Sequence, residues 1–147
     1  MPRQRIWSVA LFSGLLLIVA GLRGSTAQEP KDADARSKSA RERARLAKEV
    51  YEGSLEHLRQ EAASGSNDVE HYYRWSVRWM QAERDLAQTP AAHITAAEAH
   101  VKRMKFWKER RAMEREAGYT PPAQAAAAEF FLVEAEDWLL AAKAAGK

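Results

Sequence analysis

Between Val69 and Met104 the chain carries Val69, Tyr73, Ser76, Met80, Glu83, Ala87, Pro90, Ile94, Ala97, Val101 and Met104 in alternating steps of four and three. Such steps line side chains along one stripe of an α-helix, because a helical turn takes about 3.6 residues. The same rhythm occurs upstream in Ala44, Ala47, Tyr51, Leu55, Leu58 and Ala62. No stretch alternates with the period of two that a half-buried strand requires, and β-branched residues are few. The spacing predicts an all-α fold of antiparallel helical hairpins.

Glycine and proline punctuate the helical signal. Gly65 follows the last turn of a first helix predicted over 38–64, and Asn67 with Glu70 three residues later outlines a capping box for the next. At "GYTPP", Gly118 suits the position after a helix, Thr120 an N-cap and Pro121 a first helical residue, so a last helix is expected over 121–145. Thr89-Pro90 could also start a helix, yet the heptad phase passes straight through it. The favoured expectation is one long helix over 67–117, kinked at Pro90 and roughly 75 Å long. The alternative is a four-helix bundle.

The stretch "YYRWSVRWMQAERDL" tests what its aromatics are for. On a helical wheel Tyr72, Trp75, Trp79, Ala82 and Leu86 form one stripe, and Val69, Tyr73, Met80 and Ala87 form a second beside it. Arg74, Arg78, Gln81 and Asp85 fall on the opposite side. A base-stacking surface needs arginines and rings interleaved on one open face, so the pattern predicts buried core instead. Together the stripes span more than a half-turn, wider than one neighbouring helix covers. Trp107, Phe130 and Trp138 are expected to join this packing or an interaction surface. Folding back about Gly65 would face Glu56 with Arg74 and Glu52 with Arg78. Around Gly118 it would set Lys102 near Glu134 and Lys108 near Glu129.

Offsetting the sequence by 53 residues superimposes Gly65 on Gly118, Glu61 on Glu114, Ala82 on Ala135, Glu83 on Glu136 and Leu86 on Leu139. The repeated unit is a helix, a glycine-led turn and a second helix ending A-E-x-x-L. This unit resembles the helical repeat of TolC-type outer-membrane efflux proteins. It is also similar to small uncharacterised exported bacterial helical proteins with an Arg-Trp-Ser-x-Arg-Trp-x-x-Ala-Glu core, matched here by "RWSVRWMQAE", Arg74 to Glu83. The resemblance covers about residues 44–143 and implies a hairpin fold. No segment reads as a membrane strand, so a channel wall and a transport role do not follow from it.

The N-terminus carries an address. Arg3 and Arg5 precede an apolar run from Ile6 to Leu22, and Ser25-Thr26-Ala27 suits signal-peptidase cleavage before Gln28. The expected organisation is a signal peptide over 1–27, a polar linker over 28–40 and a helical-hairpin domain over 41–147. Export to the periplasm or cell envelope follows. The alternative is an uncleaved helix anchored in the inner membrane.

Removing 1–27 removes Arg3, Arg5 and Arg23 from the 23 Lys and Arg, which leaves 20 against 20 Asp and Glu. A chain of zero net charge lacks the broad basic surface of a nucleic-acid binder. The absence of cysteine excludes disulfides, thiolate nucleophiles and Cys-ligated metals.

Candidate chemistry is sparse. His57 and His71 could approach across the first hairpin with glutamates nearby, which makes them the candidate metal ligands. His93 and His100 stand seven apart, beyond the usual helical ligand spacing of three or four. Glu83 and Glu136 fall beside apolar positions at equivalent points of the repeat, where a carboxylate needs a partner. "VKRMKFWKERR" (101–111) gathers six basic residues beside Phe106 and Trp107, and could touch an anionic membrane. Acids of the last helix would otherwise answer it. No catalytic motif is present, so no enzyme and no cofactor are expected. The expectation is an exported helical interaction or structural protein that binds another protein or itself. The alternative is a periplasmic sensor or buffer holding a ligand or metal between helices.

Overall fold

A computed structural model of the chain describes residues 28–60, 68–87 and 89–146. They form four helices, α1 (Gln28–Gln60), α2 (Val69–Leu86), α3 (Pro90–Glu116) and α4 (Pro122–Ala145), with no strand among the described residues. The all-α expectation holds in its four-helix form. The segment read as a signal peptide and the Gly65 turn lie outside the described residues.

Successive helices run antiparallel. Arg43 meets Asp85 at one end of the α1–α2 hairpin, and Ser54 meets His71 nearer the other. Likewise Glu98 pairs with Lys143, and Glu114 with Thr120, along α3 and α4. α2 packs against all three other helices.

The single long helix is corrected at Pro90. Proline offers no N–H, its ring clashes with the carbonyl four residues back, and it drives the preceding residue out of the α region. Thr89 accordingly adopts φ −126°, ψ 145°, and its hydroxyl accepts a hydrogen bond from Ala92 N. Ala87 closes α2 in an extended conformation. Chain direction then reverses, and Met80 of α2 packs with Ala96 and Ala97 of α3. Each amphipathic helix needs steps of three and four, so a phase that survives a three-residue gap does not establish continuity.

Three further expectations are corrected. The polar linker over 28–40 is the start of α1. From Asp32 to Ser39 it is exposed or half-buried, and Ala40 is the first buried position. Ala, Lys and Arg hold a helix without burial, and the Arg45 pairs with Glu42 and Glu49 reinforce the next turns. The caps move by one residue: Asp68 accepts from Glu70 N at the start of α2, and Pro121 takes the N-cap of α4. Thr120 is instead buried, tied to Glu114 and Arg111. Three of the expected rim pairs give way to other partners. Arg74 pairs with Asp68 and Glu70, Glu52 with Lys48, and Glu134 accepts from the Tyr73 hydroxyl. Exposed pairs contribute about 0–1 kcal/mol each, too little to choose a register against the core.

That core is aromatic. Trp107 of α3, wholly buried, stacks on Tyr72 of α2 with centroids 4.0 Å apart. Its Nε1 donates to the Tyr51 hydroxyl of α1 at 3.2 Å, and Tyr51 meets Tyr72 edge-on. One indole thus joins three helices. On the α4 side Tyr73 stacks on Phe131 at 4.1 Å.

The turn from α3 to α4 follows the predicted glycine. Gly118, at φ 78°, donates to Arg115 O, and Tyr119 N donates to Glu114 O, which together make a Schellman closure.

Candidate functional site

Two places concentrate polar groups among apolar ones: a sealed knot between α2 and α3, and an open cleft where α2, α3 and α4 end or begin.

Ser76 occupies a core position of the α2 heptad and has no exposure. A hydroxyl there needs partners. Arg103 Nε donates to Ser76 Oγ at 2.6 Å, and the same hydroxyl shares a hydrogen bond with His100 Nδ1 at 2.7 Å. His100 Nε2 is buried without a hydrogen-bond partner among the described residues. Burial, helped by the nearby Arg103 charge, pushes the His100 pKa down to about 4. Burial also lowers the pKa of Arg103. The Arg103 guanidinium lies 4.2 Å from the Trp79 ring centroid, a cation–π contact.

The knot accounts for several predicted residues. Trp79 is half-buried, and its Nε1 donates to Glu83 Oε1 at 2.8 Å, which supplies the partner that Glu83 was expected to need. Glu136 is exposed, so its placement inside an apolar arc is corrected: no described helix covers that face of α4. Tyr72 and Met80 are buried, and Trp75, Leu86 and Trp138 half-buried. Phe130 is 62% exposed and belongs to the surface.

His57 is exposed, and His71 Nε2 lies 3.1 Å from Ser54 Oγ. Among the described residues no group of three His, Asp or Glu side chains is placed to hold a metal. No described helix is long and apolar enough to cross a membrane.

The basic stretch 101–111 is divided by the fold. Lys102, Lys105 and Lys108 are exposed, whereas Arg103 enters the knot. Arg111, 4% exposed, pairs with Glu114 and donates to Thr120 Oγ1 at 3.2 Å. Burial would raise the Glu114 pKa, but Arg111, Thr120 and Arg110 outweigh it and hold the carboxyl below its ordinary range. The answering acid is thus on the same helix, not on α4.

Comparison with family models, curated proteins and solved structures finds no match.

The residues that the sequence left unassigned are His100 and Arg103. A signal for His100 existed: His93, His100 and Trp107 share one face at intervals of seven, and Ser76 stood alone as a hydroxyl in an apolar series. Their meeting required α3 to fold back on α2, which a continuous helix forbids.

The cleft holds a volume of about 680 Å³. Met80, Trp138 and Pro90 wall it, and Ala87, Ala141, Ala142 and Ala145 leave it unfilled. Gly146 lies beside Pro90, so close that an added Cβ would come within 3.3 Å of the Pro90 ring. His93 Nε2 donates to Ala87 O at 3.0 Å and ties the start of α3 to the end of α2. Gln81 and Arg84 stand at the mouth.

Proposed function

We propose that the protein is a non-enzymatic helical interaction module of the cell envelope, and that it docks through the outer face of α4 onto a helix of a second copy. The carrying observation is a stripe of Phe130, Val133 and Leu140, exposed by 62%, 54% and 64%. The 53-residue repeat gives it meaning. Its equivalents are Val77 and Met80 of α2 and the C-cap Ala87, of which Met80 is fully buried and the other two half-buried. Burial agrees across the repeat elsewhere too: Ala47 with His100, Tyr51 with Met104, Leu58 with Arg111 and Ala82 with Ala135 are all buried. On α4 no described helix covers the corresponding stripe. A second copy presents helices of the same kind, which is why self-association is the favoured docking.

The sealed knot supports a structural role for the Ser76–His100 pair. A nucleophile needs access to substrate, whereas Ser76 Oγ is enclosed and occupied by Arg103. The resemblance to the TolC-type repeat supports helix-on-helix docking, and the leader over 1–27 supports export. A route to the envelope through cleavage before Gln28 is checked by N-terminal sequencing of the cell-derived protein.

Light scattering across micromolar to millimolar protein tests the docking. The mass is expected to rise with concentration, and Phe130→Glu with Leu140→Glu to restore the monomer while the circular dichroism stays helical. A wild-type chain that remains monomeric throughout, with no crosslink from a photoreactive residue at position 133, overturns it.

A further inference from the structure

We infer that the cleft between the ends of α2 and α4 and the start of α3 is a binding site for a monocarboxylate with an apolar body, either an aliphatic chain or an aromatic ring. The inference stands on a different face from the α4 stripe and does not depend on it.

Three observations lead there. First, the space is made by the sequence. Elsewhere facing helices interlock aromatic side chains, but here Ala141, Ala142 and Ala145 of α4 oppose Ala87 of α2 and leave about 680 Å³ open. That falls within the roughly 300–1,000 Å³ range of small-molecule sites. Second, most of its lining is apolar, with Trp138 and Met80 offering a ring and a thioether to an apolar guest.

Third, the mouth holds one uncommitted cation. Arg84 makes no ion pair with a described residue, while its neighbour Asp85 is taken by Arg43. A guanidinium offers two parallel N–H groups to a carboxylate. Thr89 is engaged in capping α3 and His93 in holding Ala87 O, which leaves the neutral Gln81 as the other polar side chain of the lining. The N-terminus of α3 also lies on this rim and favours an anion. The carbonyl ends of α2 and α4 come to the same rim and oppose any anion, so Arg84 with the start of α3 balances one negative charge at most, hence a monocarboxylate.

The test is calorimetric titration of the full chain, as the expressing cell produces it, with dodecanoate, 3-phenylpropanoate and uncharged dodecanol. Either carboxylate is expected to saturate at one per chain and to quench Trp138, and the preferred one identifies the body as chain or ring. Dodecanoate is expected to bind about tenfold more tightly than dodecanol, and Arg84→Gln to abolish that preference. Ala141→Trp, at an exposed position, is expected to block binding with the helical melting curve unchanged. If that variant melts early, Ala141→Leu replaces it with a smaller filling. The inference is overturned by equal binding of alcohol and acid, by no effect of Arg84→Gln, by no binding of any probe, or by binding that survives the filled cleft. Dimerisation that excludes all three probes also overturns it, since the occupant would then be a second copy.

Discussion

Ser76 and His100 meet at 2.7 Å in the sealed centre of the bundle, one from α2 and one from α3, with Arg103 donating to the same hydroxyl. This arrangement requires a neutral histidine, because burial beside the Arg103 charge disfavours a second proton on the ring.

That requirement makes stability depend on pH. Burial holds His100 neutral in the folded state down to about pH 4, whereas unfolding returns it to an ordinary value near 6.5. The unfolded chain therefore binds more protons between those limits. Its contribution is complete above pH 6.5, falls as the pH drops towards 4, and amounts to on the order of 3 kcal/mol. Glu114 acts lower, its share being present above its ordinary 4.5 and lost as the pH falls through its depressed folded value. Urea unfolding at pH steps should show the two windows. His100→Asn, which keeps a short acceptor but does not titrate, should flatten the upper one alone.

Truncating the hydroxyl attacks the knot from α2. Ser76→Ala leaves a buried imidazole nitrogen and a half-buried guanidinium donor without their shared partner. A loss of about 1–3 kcal/mol is expected from the stranded groups. If the pair were independent of Arg103, Arg103→Met combined with Ser76→Ala would cost the sum of the two changes. Coupling through one oxygen predicts a smaller total, measured as a double-mutant cycle in urea.

The sequence made the helices and most of the core legible, because Tyr72, Met80 and Trp107 fall at helical spacing with apolar neighbours on the same face. Gly118 was legible for the same local reason: a left-handed residue after a last turn calls for glycine. Pro90 was harder, since the geometry of one residue competed with a phase running over eleven positions, and local sterics prevailed. The knot was beyond reach from either helix alone. Ser76 and His100 lie 24 residues apart and become partners only once the chain reverses. The cleft was invisible for a different reason. Alanines at 141, 142 and 145 read as helix formers, and only the packing of three helix ends shows that they leave space.

Trp107 offers a graded test of the core. Trp107→Phe keeps most of the ring stacked on Tyr72 but removes the indole donor to Tyr51, so a loss of about 1 kcal/mol is expected for the hydrogen bond, with some underpacking added. Trp107→Ala removes the contact among three helices and should cost about 3–5 kcal/mol. Thermal melts followed by circular dichroism would rank them. Equal losses would mean that the Tyr51 bond, not the volume, holds α1 in place.

Two glycines should respond to alanine in opposite directions. Gly53 lies inside α1 with nothing within 4 Å of an added Cβ, so Gly53→Ala removes backbone freedom from the unfolded chain without a clash. It should stabilise by about 0.5–1 kcal/mol. Gly118 has equally open surroundings, yet its φ of +78° closes α3 through the Arg115 and Glu114 carbonyls. There a methyl group meets the backbone itself, and Gly118→Ala should destabilise by about 1–2 kcal/mol. Because both sites are sterically empty, the difference isolates backbone conformation from packing. Matching gains at both positions in denaturant unfolding would show that the turn is free to change shape, and the Schellman closure would lose its place as the fixed corner between α3 and α4.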